Sequence, residues 1–242
     1  MSQHKDVALF GGAIRGVLPT NWIDASNLRE VPDHQELFLS PDTLSNLIVE
    51  INQRVSEEDA LSTFTTLSQQ QPSLAAGNGN ASNLTPDTID QAAALYHLHD
   101  LCEEGDAMEV VAPPRRVELG SLGANAPSGS SISAYNGIVE FKTADKRRDQ
   151  RQPAAETGSA VSGVTMNGGS SSAPPTKALT CHYLLVRLGV QETDLLVFFN
   201  VPHEEFDKEG DSRGLSKEET LAEETLKALE ERLQIQDWEL FV

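Results

Sequence analysis

The sequence predicts an α+β protein in which an antiparallel β-sheet is sandwiched between helices. Three observations carry that prediction. Two apolar runs, Tyr183 to Leu188 and Asp194 to Phe199, are separated only by a short connection containing Gly189. A parallel pair would need a crossover of about a dozen residues or more, so the two runs must form an antiparallel hairpin. The second run is apolar almost without alternation, as is Leu47-Ile48-Val49, and continuous apolar strands imply burial on both faces. Amphipathic segments elsewhere supply helices to cover each side, which gives an α/β/α sandwich.

In chain order, Ala8-Leu9-Phe10 and Ile14 to Leu18 read as two short strands around Gly11-Gly12. Asp24-Ala25-Ser26-Asn27 offers capping side chains for a single helical turn. Val31-Pro32-Asp33 reads as a turn, because proline presets φ and the aspartate can bond its own backbone. Gln35 to Leu39 and Asn46 to Asn52 are rich in Leu, Ile, Val and Phe and read as strands. Ser56-Glu57-Glu58-Asp59 starts a weak helix carrying Leu61, Phe64 and Leu67. Thr85-Pro86 places an N-cap before a proline at the first helical position and leads into Ile89, Ala92, Ala93 and Tyr96. Ser216-Lys217-Glu218-Glu219 is a capping box. It opens a helix with Leu221, Ala222, Thr225, Leu226, Leu229 and Leu233 on one stripe, opposite Glu223, Glu224, Lys227, Glu230 and Glu231.

The 242 residues read as one domain, 1–242, with three insertions of low complexity. These are 68–84, rich in Gln, Asn, Gly and Ser; 112–133, with Pro113, Pro114 and Pro127; and 145–177, which opens on Lys146-Arg147-Arg148. None has helical or strand periodicity to repay its ordering entropy by burial, so each reads as a flexible surface loop. Without them roughly 160 residues remain, enough for one ordinary core.

The formal net charge of -19 argues against nucleic acid, whose binding needs clustered Lys and Arg, and against an anionic membrane surface. It favours a basic protein partner, though any single carboxylate can as well be there for solvation. Two cysteines, Cys102 and Cys181, are too few for a disulfide framework. No hydrophobic run follows the polar N-terminus to act as a signal peptide, and no apolar stretch approaches the length of a membrane span. The expectation is a protein of the nucleus and cytoplasm, monomeric, with reduced thiols.

Several chemical motifs fail on inspection. Gly11 to Gly16 is glycine-rich but lacks the Gly-Lys-Ser/Thr ending of a phosphate loop. His97, His99, Asp100 and Cys102 sit close in sequence, but helical positions two apart diverge, and no second ligand group with zinc spacing follows. No nucleophile elbow or local Cys–His arrangement exists. No metal, cofactor, small-molecule substrate or covalent chemistry is therefore expected. Lys146-Arg147-Arg148 matches a weak nuclear-localisation element, with a solvated loop as the plainer reading.

A longer pattern resembles a known family. Leu9-Phe10-Gly11-Gly12-Ala13-Ile14, Leu18-Pro19, Ile23-Asp24-Ala25-Ser26, Leu28-Arg29-Glu30-Val31-Pro32-Asp33 and Gln35-Glu36 resemble the N-terminal signature of the Ran guanine-nucleotide release factors, the Mog family. Leu47-Ile48-Val49-Glu50, Tyr96-His97 with Asp100, Leu185-Val186-Arg187-Leu188, Thr193-Asp194-Leu195-Leu196 and Leu240-Phe241 continue the match. The low-complexity stretches fall outside it and look like those of a fungal member. The resemblance implies a fold similar to PsbP, binding to the GTPase Ran, release of its GTP and a role in nuclear protein import. It also implies an acidic Ran-binding surface on the loop from Asp24 to Glu36, with Glu50 on the following strand. A second acidic family position on that strand is Gln53 here, a departure that weakens the strand's share more than the loop's.

The candidate partner-binding residues are thus Asp24, Arg29, Asp33, Glu36 and Glu50. Each has a structural alternative. Asp24 can cap a helical turn, Arg29 can pair with Asp24 or Asp33, and Asp33 has a turn role beside Pro32. Glu50 can be an edge-strand charge that discourages aggregation. Glu36, at the mouth of an apolar strand, gains nothing by packing. Three functions compete: a release factor, an acidic adaptor that docks Ran or another basic protein without nucleotide release, and an enzyme on the same fold. The last is weakest for want of a catalytic constellation.

Overall fold

The computed structural model describes residues 4–72, 74, 85–122, 126–144 and 176–241. Its centre is a seven-stranded antiparallel sheet. The strands are β3 (Ile23–Asp24), β4 (Gln35–Leu39), β5 (Asn46–Gln53), β6 (Ala107–Arg116), β7 (Ile132–Ala144), β8 (Thr176–Leu188) and β9 (Thr193–Pro202), in the order β3-β4-β5-β9-β8-β7-β6. The β8–β9 hairpin is antiparallel, as its short connection requires, with Leu188 opposite Thr193. A smaller sheet, β1-β2-β10, joins β1 (His4–Leu9), β2 (Ile14–Pro19) and β10 (Gln234–Ile235). Helices α1 (Glu57–Gln70), α2 (Pro86–Asp100), α3 (Glu204–Glu209) and α4 (Ser212–Arg232) pack with these sheets.

Side chains alternate across a strand, so the apolar runs feed two separate cores. Leu47, Val49, Val197 and Phe199 face the small sheet and α4, where Ile14, Val17, Leu18, Leu226 and Leu229 cover them. Leu196, Phe198, Tyr183 and Leu185 face α1 and α2, where Leu67 and Ala92 to Leu95 cover them. The sheet is therefore covered on both sides, as its continuous apolar strands demand.

The insertions are smaller than their composition suggests. Residues 68–70 continue α1. The Gln71 amide then bonds the β6 backbone, donating to Met108 O at 2.7 Å and accepting from Val110 N at 2.9 Å. It mimics a neighbouring peptide along a strand that ends the sheet, one way of blunting an edge. In the second insertion, residues 112–116 lie within β6, residues 132 and 133 begin β7, and Leu122 is buried in the core. Pro113 and Pro114 are tolerated because β6 is the last strand of the sheet and its register slips there twice. Of the third insertion, 145–175 lies outside the described residues, and Thr176 and Lys177 already belong to β8.

One boundary also differs from expectation. The last helix begins at Ser212, where Asp211 Oδ1 accepts the Gly214 N–H at 2.9 Å, so Asp211 and not Ser216 is the cap. The β1–β2 hairpin pairs with β10 from the far end of the chain.

Candidate protein-interaction surface

The five predicted residues surround the start of β4 without converging on one pocket. Asp24 ends β3, and its Oδ1 accepts the Ser26 N–H at 2.8 Å, capping the turn Ala25–Asn27. The Ala25 carbonyl then accepts the Leu28 and Arg29 amides at 2.9 and 3.0 Å. Pro32 O accepts the Gln35 N–H at 2.8 Å and closes a turn with Asp33 inside it. Asp33 and Arg29 are exposed, and neither side chain forms an ion pair among the described residues. Among the described residues, Arg29 does not pair with Asp33.

Glu36 and Glu50 are held more firmly, and on opposite faces of the sheet. Glu36 lies opposite Val49, and Asp24 opposite Phe38; Val49 and Phe38 both belong to the core on the small-sheet side. Glu50 lies opposite Gln35 on one neighbour and Leu196 on the other, and Leu196 belongs to the core on the α1–α2 side. Glu36 Oε1 accepts the Phe10 N–H at 2.6 Å, and Glu50 Oε2 accepts from Gln35 Nε2 at 3.1 Å. β5 is hydrogen-bonded on both sides, so the edge-strand reading of Glu50 is wrong. Gln53 stands exposed at the strand's end.

The loop that these contacts brace carries exposed apolar residues as well as charge. Ile23 and Leu28 are 43% and 67% exposed. The surface combines carboxylates with exposed apolar side chains. Clefts of about 620 Å³, between β6–β7 and α4, and of about 550 Å³, beside the start of α1, lie elsewhere. None of the five residues lines either one.

Sequence reasoning missed one polar assembly. Arg187 donates through Nε to Asp194 Oδ1 at 2.9 Å, through Nη1 to Asp90 Oδ1 at 2.7 Å and through Nη2 to Val55 O at 2.7 Å. Asp194 Oδ2 accepts the Val55 N–H at 3.0 Å and lies 2.9 Å from His97 Nε2. Burial pushes the Asp194 carboxyl up, but the bonds from His97, Arg187 and Val55 outweigh it and hold the group below the usual carboxylate range. The signal for this assembly was an Arg and an Asp inside otherwise apolar runs. His97 thus points into the core, while His99 and Asp100 are exposed. The assembly ties α2, the start of α1 and the central hairpin together, and with them the exit of β5.

This layered sheet, with an acidic loop braced at its edge, has the architecture of the solved Mog1 structures. A structure titled as the Ran-binding protein Mog1p of Saccharomyces cerevisiae superposes with a TM-score of 0.52 at 19% identity, covering 100% of both chains. A Mog1 point mutant gives a TM-score of 0.51, also at 19% identity, over 99% of this chain and 100% of that one. The chain belongs to the family described as Ran-interacting Mog1 protein, which it matches over residues 7–202. Among curated relatives, the human Ran guanine nucleotide release factor is 51% identical over 51 residues, 21% of this chain and 27% of that protein. The Schizosaccharomyces pombe nuclear import protein mog1 is 26% identical over 162 residues, 64% of this chain and 65% of that one. The matched stretch thus spans about a quarter of the human relative's length.

Proposed function

We propose that this protein binds the small GTPase Ran and promotes release of its bound GTP, supporting nuclear protein import by binding alone, with no covalent step. The observation that carries the reading is the braced loop: Arg29 and Asp33 are exposed and make no ion pair among the described residues, on a segment tied down at both ends. Asp24, Arg29, Asp33, Glu36 and Glu50 form the contact surface, wrapped around the sheet edge. A GTPase holds its nucleotide through a P-loop lysine and a magnesium ion. A fixed carboxylate presented near either one competes with the phosphates. A ligand shifts an equilibrium only through its preference for one state, so this surface prefers Ran with its nucleotide site loosened. Such a protein works as a monomer in both nucleus and cytoplasm.

The test is the dissociation rate of a fluorescent GTP analogue from purified Ran, with and without an excess of this protein. The expected result is faster release, reduced by Asp33→Lys and by Glu50→Lys. Binding without faster release would instead make it an adaptor, and an unaltered effect in both variants would remove Asp33 and Glu50 from the site.

A further inference from the structure

The turn between β1 and β2 is the one place where consecutive described residues hold positive φ: Phe10 at 49°, Gly11 at 66° and Gly12 at 98°. For the glycines this is accessible, but for Phe10 it is an uncommon conformation. Strain of this kind persists only where surrounding contacts over-determine it. Here they do so on three sides. Ala13 N–H donates back to Phe10 O at 3.2 Å, Ala13 O accepts the Gln236 and Asp237 amides at 2.8 and 3.1 Å, and Phe10 N–H donates to Glu36 Oε1 at 2.6 Å. The last contact joins the small sheet to the second strand of the large one.

Phe10 N–H is thereby aimed at a carboxylate of the proposed surface. A backbone donor has fewer ways to move than a side chain, and a glutamate fixed by one oxygen loses less freedom when a partner takes the other. Glu36 Oε2 accepts no hydrogen bond from the described residues. We propose that the Phe10–Gly12 turn is a positioning element whose amide pre-orients Glu36 for its protein partner. This rests on the Ran-binding reading above. The glycine pair is then required for its backbone angles and not for space, since a Cβ at Gly11 or Gly12 would meet nothing within 4 Å.

A double-mutant cycle tests it. Ran affinity is measured for the unaltered protein, Gly12→Ala, Glu36→Ala and the combination, with Gly12→Ala/Asp33→Ala as a second pair. Gly12→Ala strains the turn, and both single variants at 12 and 36 should weaken binding, each by roughly tenfold. Their combination should bind no worse than Glu36→Ala alone, whereas the losses at Gly12 and Asp33 should multiply. Multiplying losses at 12 and 36, or a Gly12→Ala protein that binds Ran normally, would overturn the inference and leave the Ran reading intact. No binding by the unaltered protein would overturn both. Amide NMR on the free, unaltered protein decides the pairing without any variant: Phe10 should exchange slowly, and a freely exchanging Phe10 amide overturns the inference.

Discussion

Arg187 and Asp194 face each other as a cross-strand pair on β8 and β9, Nε to Oδ1 at 2.9 Å, with 1% and 0% of their side chains exposed. The remaining hydrogen-bonding capacity of the pair is taken up by Asp90, His97 and both backbone groups of Val55. Removing one partner leaves an uncompensated buried charge, which costs about 3–5 kcal/mol. Arg187→Met should therefore lower the urea midpoint by far more than Lys142→Met, whose ion pairs with Glu109 and Glu140 are at the surface.

His182 gives the protein a distinct acid limit. It is buried on the α4 side of β8 with no partner for Nε2 among the described residues, and burial lowers its pKa from 6.5 to about 4. The charged groups lining the adjacent cleft, Arg115, Lys227, Glu223 and Glu230, do not reverse that shift. The unfolded chain takes up the proton from about pH 6.5 and the folded chain only near 4, so stability falls as pH falls between those values. The loss is on the order of 3 kcal/mol. Asp194, whose pKa is depressed, withdraws its own contribution only at lower pH. Denaturation of His182→Leu at a series of pH values should show a flatter profile between pH 6.5 and 4.

Gly137 is required for space. A Cβ there would run into the Tyr183 ring hydroxyl and come within 2.8 Å of Ala112 O, a backbone atom that cannot swing aside. Gly137→Ala should destabilise by about 1–3 kcal/mol, read as a lower urea midpoint with unchanged slope. An unaffected midpoint would mean that the β6 bulge absorbs the methyl group.

The caps offer a control on the helix boundaries. Thr85 and Asp211 each accept a backbone amide, from Thr88 and Gly214. Their replacement by Ala should cost about 1 kcal/mol each. Ser216, inside α4 and not at its start, should tolerate Ala with little change in the unfolding midpoint.

Much of the fold was legible because its signals are local. The turn between Leu188 and Thr193 is too short for anything but a hairpin, and unbroken apolar runs such as Leu195 to Phe199 demand cover on both faces. Ser56 and Thr85 cap helices through side chains three residues from the amides they bind. By contrast, the Pro113-Pro114 segment looked like a loop because composition does not reveal that a strand lies at a sheet edge. The capping box at Ser216 misleads for a related reason: Asp211 takes the cap five residues earlier, directly after Gly210 in the left-handed conformation.

For the candidate surface, sequence alone determined the residue types: an acidic loop around Pro32, with one carboxylate at the mouth of an apolar strand and another inside the next. Tertiary structure decided what each carboxylate does. It put Glu36 and Glu50 on opposite faces, because cross-strand neighbours share a side and Glu36 is paired with Val49 while Glu50 is paired with Gln35. It brought Phe10 to Glu36 across 26 residues and the β10 strand to β2 from the opposite end of the chain. Such contacts follow from which layer packs on which, and that is settled by the whole core and not by any one segment's pattern.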